Sequence, residues 1–126
     1  MNTLSYFEIQ AADVQKAKAF YENVFGWNFV RETFTPIEYY RIETATLFGG
    51  LLQRPAASPP PGQGTNAFTC SFQVECFDAT AQIIIDNGGK VAMPKFPVPG
   101  RCWQGYVMDT DKNVFGIFEV DENAGK

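Results

Sequence analysis

Two stretches of this chain follow the same plan, and that repetition limits its fold more than any other feature. In "SYFEIQA" (5–11), Phe7, Ile9 and Ala11 alternate with Tyr6, Glu8 and Gln10, the period of a half-buried strand. Asp13 then stands where an N-cap would accept backbone N–H bonds. Val14, Ala17, Tyr21 and Val24 recur at helical spacing, and Gly26 ends the helix. Later, Cys70, Phe72 and Val74 alternate with Thr69, Ser71 and Gln73, "DATAQIIIDN" (78–87) reads as a helix, and Gly88-Gly89 stop it. Laid over one another, Ile9-Gln10 falls on Phe72-Gln73, Val14 on Phe77, Phe20 on Ile83 and Gly26 on Gly89. Near the ends of the halves the spacing drifts, and "LFGGL" (47–51) falls on "VFGIF" (114–118). Further strands are expected at about 27–33, 37–43 and 45–53, and again at about 90–93, 102–108 and 114–120. "DTDKN" (109–113) is the turn into the last of these. The order β-α-β-β-β written twice reads as a tandem duplication and an α+β fold.

Between the halves lies "RPAASPPPGQG" (54–64), the one low-complexity segment. Its prolines favour extended conformations and cannot join a sheet ladder, so it reads as a stiff linker. The expected organisation is a single domain over 1–126, with module one at 1–54, the linker at 55–64 and module two at 65–126. A chain of 126 residues, 45% hydrophobic and 15% aromatic, can bury a core of its own.

Charge excludes some partners. Ten basic residues are scattered among fourteen acidic ones, for a net charge of −4. That balance speaks against nucleic acid, whose phosphates require clustered Lys and Arg. The start, "MNTLSYFEIQ", has neither a basic n-region nor a long apolar run, so no signal peptide and no membrane span are expected. Cys70, Cys76 and Cys102 form an odd set without metal-ligand spacing, which reads as reduced thiols in a cytoplasm.

The element order, together with "FEIQAADVQKAKAFYENVFGW", "GGLLQRP", "NGGKVAMPKFPVPGRCW" and "DTDKNVFGIFE", resembles the glyoxalase/bleomycin-resistance/dioxygenase superfamily, also called vicinal-oxygen-chelate proteins. The likeness covers nearly the whole chain. It implies that two βαβββ modules pair into a cupped, partly closed mixed sheet around a central cavity. Catalytic members hold a divalent metal there through His, Glu or Gln on the first and last strand of each module. Carried over, those four positions fall on Tyr6, Gly49, Thr69 and Gly116. A neutral phenol and a neutral hydroxyl are poor ligands for such metals, and glycine has no side chain. The chain has no histidine at all. No metal and no other cofactor is therefore expected.

The polar rows of the first strands carry the remaining information. Tyr6, Glu8 and Gln10, with Thr69, Ser71 and Gln73, lie opposite the apolar rows. On a free-standing sheet they would be a solvated face; in the cupped architecture that the resemblance implies, they line the cavity. Glu8 is then a ligand anchor, or a general base if burial raises its pKa. In "MPKFPVPGRCWQ" (93–104), an ordered loop or broken strand, Arg101 and Trp103 either grip an anionic or planar group or serve as a solvated charge and a packed ring. Cys102 has no histidine to activate it and reads as a packing thiol. Asp109 and Asp111 read as turn acids, and Lys112, in place of the family's usual glycine, must tolerate positive φ.

The expected function is metal-free binding of a small organic molecule, cationic or aromatic, by a homodimer. The alternatives are a lactoylglutathione-lyase-like or dioxygenase-like enzyme, and a degenerate module that acts only through protein contacts. Fold alone does not choose among them.

Overall fold

The computed structural model describes residues 4–33, 36–54 and 69–126. The Pro-rich stretch 55–64 lies outside them. The chain falls into two compact units, Met1–Pro59 and Pro60–Lys126, and among the described residues each carries one mixed four-stranded sheet with one helix.

Module one runs β1 (Tyr6–Ala11), α1 (Val14–Phe25), β2 (Asn28–Glu32), β3 (Tyr39–Glu43) and β4 (Phe48–Gln53). The strand order is β1-β4-β3-β2, with β1 parallel to β4 and the other pairs antiparallel. Asp13 caps α1 as its sequence position implies, with Oδ1 accepting from the Lys16 amide at 3.0 Å. Gly26 closes the helix at φ 67°, where a residue with a Cβ would be strained. Ala11, Val14, Ala17, Ile42 and Leu51 form the buried centre between α1 and the sheet, with Phe7, Ile9, Trp27, Phe29 and Tyr40 packed against it. The Trp27 ring stacks on Tyr21 with centroids 5.3 Å apart, which fixes the turn out of the helix.

Module two runs β5 (Ser71–Gln73), α2 (Phe77–Asp86), β6 (Lys90–Val98), β7 (Cys102–Met108) and β8 (Val114–Val120), in the order β5-β8-β7-β6. The α2 helix begins differently. Cys76 stands at its cap without a side-chain bond, and the Phe77 amide instead donates to the Glu119 carboxylate of β8 at 2.6 Å. Buried Phe77 and Ile84 hold this helix to the sheet, whereas Ile83, which the sequence overlay sets on buried Phe20, is 42% exposed. Ile84 occupies the position equivalent to Tyr21.

The β6 strand is longer than its prolines suggest. It continues past residue 93 to Val98, with register shifts between Val91 and Met93 and between Met93 and Phe96. As an edge strand it needs hydrogen bonds on one side only, so Pro94 and Pro97 are tolerated. The β7–β8 turn is built as its acids imply. Asp109, 3% exposed, accepts from the amides of Asp111 at 2.7 Å and Asn113 at 3.0 Å, and Lys112 takes φ 66°.

Candidate functional site

Strand alternation divides each sheet into a face toward its helix and a polar face. On β1, Phe7, Ile9 and Ala11 pack toward α1, and Tyr6, Glu8 and Gln10 take the other side. The register carries that side across the sheet. Tyr6 pairs with Phe48, Glu8 with Gly50 and Gln10 with Leu52, and Gly50 in turn pairs with Arg41 and Leu52 with Tyr39. The polar face of module one therefore joins Tyr6, Glu8 and Gln10 to Tyr39, Arg41 and Glu43.

Three of these side chains form a bonded cluster. The Tyr39 hydroxyl donates to Glu8 Oε2 at 2.9 Å and lies 2.6 Å from the Tyr6 hydroxyl. It rests over Gly50, in the space that a Cβ at that position would require. Burial first, then the bonds to Tyr6 and Glu8, push the Tyr39 phenol far above the usual tyrosine range. Tyr39 is thus a fixed neutral donor. Beside it, Arg41 Nη1 meets Glu32 at 2.6 Å and Nη2 meets Glu43 at 2.9 Å. The Arg41 guanidinium, and secondarily Asn28, holds the Glu43 carboxyl below its ordinary pKa.

Module two repeats the arrangement with different chemistry. Ser71 pairs with Gly116, which pairs with Tyr106, so Ser71, Tyr106 and Gln104 share its polar face. Gln104 Nε2 donates to Ser71 Oγ at 3.3 Å, and these two groups, with Tyr106, crowd the space beside Gly116. Thr69 and Gln73 are exposed at either end of that row. Trp103 lies elsewhere. It pairs with Glu119 on the helix side, donates Nε1–H to Asp121 at 3.1 Å, and carries the Lys95 ammonium 4.9 Å from its ring centre. Arg101 is exposed in the β6–β7 turn. Neither Trp103 nor Arg101 stands with Ser71 and Gln104.

The register also corrects the overlay of the last strands. Glu8 pairs with Gly50 and Ser71 with Gly116, so the counterpart of Gly116 is Gly50, one residue past Gly49. Gly49 faces the helix, where a Cβ would meet the Phe7 ring at 2.5 Å. With that register, the four positions onto which the resemblance carries the family's metal ligands become Tyr6, Gly50, Thr69 and Gly116. Both glycine positions lack a donor, and neighbouring side chains fill the space beside each. Among the described residues, no three His, Cys, Asp or Glu side chains gather. These residues do not fit the family's divalent metal.

Sequence reasoning missed Tyr39, Arg41 and Gln104 as members of the polar faces. Alternation in "YYRIE" (39–43) around Ile42 was the available signal for the first two; which strand lay beside β1 was not written locally.

Comparison with known proteins agrees with this architecture. Residues 3–117 match the Glyoxalase/Bleomycin resistance protein/Dioxygenase superfamily. The chain belongs to that superfamily. Among curated proteins, none matches the sequence. Solved structures share the fold at low identity. A glyoxalase/bleomycin resistance protein/dioxygenase family enzyme from Burkholderia phytofirmans is 21% identical, with 93% of this chain and 98% of that one covered and a TM-score of 0.75. The genomically encoded fosfomycin resistance protein FosX from Listeria monocytogenes is 19% identical, with 96% and 93% covered and a TM-score of 0.76. A point mutant of FosX has also been seen in complex with Mn(II) and 1S,2S-dihydroxypropylphosphonic acid. Among the described residues no helix is long and apolar enough to cross a membrane.

Proposed function

We propose that this superfamily member binds a small organic molecule on the polar face of its module-one sheet, without the metal of relatives such as FosX. The observation that carries this reading is the Tyr6–Tyr39–Glu8 cluster over Gly50. Where a metal-binding relative needs a side chain with a donor atom, this chain has a glycine covered by a tyrosine hydroxyl. The face keeps a carboxylate and phenols in fixed geometry, with the exposed Phe48 next to Tyr6 for apolar contact. Gln10 extends the same row. On module two, Thr69, Ser71 and Gln73 offer hydroxyl and amide groups of the same kind. We further propose that the protein works as a homodimer in the cytoplasm.

The test is a thermal-shift screen of metabolites on wild type and Glu8→Gln. Loss of a charge-assisted bond through Glu8 is expected to weaken binding by about 1.5–3 kcal/mol, roughly ten- to a hundred-fold. Ligands that stabilise both proteins equally would remove Glu8 from the site. A screen without hits, with the protein captured only by macromolecular partners, would favour the interaction-only alternative. Sedimentation at micromolar concentration tests the dimer, and a species of 14.1 kDa alone would exclude it.

A further inference from the structure

The direction of the hydrogen bonds in the cluster selects the chemistry of the ligand. A carboxylate only accepts, so the single proton of the Tyr39 hydroxyl is committed to Glu8 Oε2. The 2.6 Å contact between the two phenols then has one remaining polarity: Tyr6 donates to Tyr39. Both phenolic protons are spent inside the cluster. What it presents outward is the lone pairs of Tyr6 Oη and Glu8 Oε1, and both are acceptors. Tyr6 is 43% exposed and its cross-strand neighbour Phe48 49% exposed, so the acceptors border accessible aromatic surface. The surrounding charge has the same sense. Of the charged groups there, Glu8, Glu32 and Glu43 stand against Arg41, whose charge is felt at Tyr6 but whose guanidinium is engaged by Glu32 and Glu43, while Arg54, just past the end of β4, is bonded to the Gln10 carbonyl at 3.0 Å.

We propose that the module-one face takes a protonated organic amine. This rests on the small-molecule reading above and narrows it. The ammonium N–H groups would bond Glu8 Oε1 and Tyr6 Oη, and the carbon attached to nitrogen would lie against the Tyr6 and Phe48 rings, where the positive charge also gains from the ring faces. An anionic ligand would meet acceptors with acceptors.

Isothermal titration of the full chain with benzylammonium, benzyl alcohol and benzylphosphonate tests the charge requirement on one carbon frame. Benzylammonium is expected to bind at least tenfold more tightly than the other two. Glu8→Gln should weaken it tenfold or more, and Tyr6→Phe, a change at an exposed position that leaves packing intact, by about threefold. The inference is overturned if benzylphosphonate binds as well as benzylammonium, if neither variant changes benzylammonium binding, or if benzylammonium does not bind. If benzylammonium fails while the metabolite screen yields neutral or anionic ligands, the broader reading survives; a blank screen removes both.

Discussion

The Tyr39 hydroxyl occupies the place that a side chain at Gly50 would need. Gly50→Ala should therefore push the Tyr39 ring off Tyr6 and Glu8. Because the displaced atom is the end of a side chain, the cost should sit near the low end of overpacking, about 1 kcal/mol. Gly89→Ala is the contrast. Its Cβ would meet the Met108 carbonyl at 2.7 Å and Ile84 Cγ2 at 2.5 Å, a backbone atom and a buried core side chain. It should cost about 3 kcal/mol. Urea unfolding of the two variants checks the order.

Tyr39 also predicts a pH response. Its folded-state pKa lies above the unfolded value of 10.0, so above that pH the unfolded chain loses a proton that the folded chain keeps. The stabilisation is fully present below about pH 10 and declines as pH rises toward the folded pKa. Tyr39→Phe should flatten the alkaline fall in stability, and ultraviolet titration of wild type should show one tyrosine that resists ionisation until the protein unfolds. Glu43 acts at the other end. Its pKa is lowered, so its contribution is present above the unfolded value of 4.5 and is lost as pH falls through the folded pKa. Being only half-buried, it should matter less, and Glu43→Gln should change acid stability only slightly.

The α2 helix takes its cap from a distant strand. Glu119→Ala removes the acceptor of the Phe77 amide and should destabilise module two by about 1–2 kcal/mol. Asp13→Ala removes the local cap of α1 and should cost about 1 kcal/mol. Hydrogen exchange should show faster opening at the start of the affected helix in each case. Protection unchanged at Phe77 in the Glu119 variant would refute the long-range cap.

Lys112 is held at φ 66°, a conformation that strains residues bearing a Cβ. Lys112→Gly should stabilise the protein by about 0.5–1 kcal/mol, because strain relief outweighs the added entropy of the unfolded glycine. Thermal unfolding at pH 7 reads this directly; a lower midpoint would overturn it.

What the sequence alone determined is what neighbouring residues decide. The Asp13 and Gly26 ends of α1, the alternation of β1 and the Asp109 turn each depend on contacts within a few residues, whereas the positive φ at Lys112 was implied by the glycine that the resembled family usually has there. The local features were legible for that reason, as was the doubled βαβββ order that led to the family. The tertiary structure alone decided which residues from distant segments share a surface. The β1–β4 pairing chose Gly50 over Gly49, because a shift of one residue moves every side chain to the other face. Placement of β3 beside β4 brought Tyr39 over Gly50 and onto Glu8. The β7–β8 register turned Trp103 toward the helix side, and β8 carried Glu119 to the start of α2. Local periodicity says that a strand has two faces. Only the long-range register, set by packing of the whole module, says which residues meet on each.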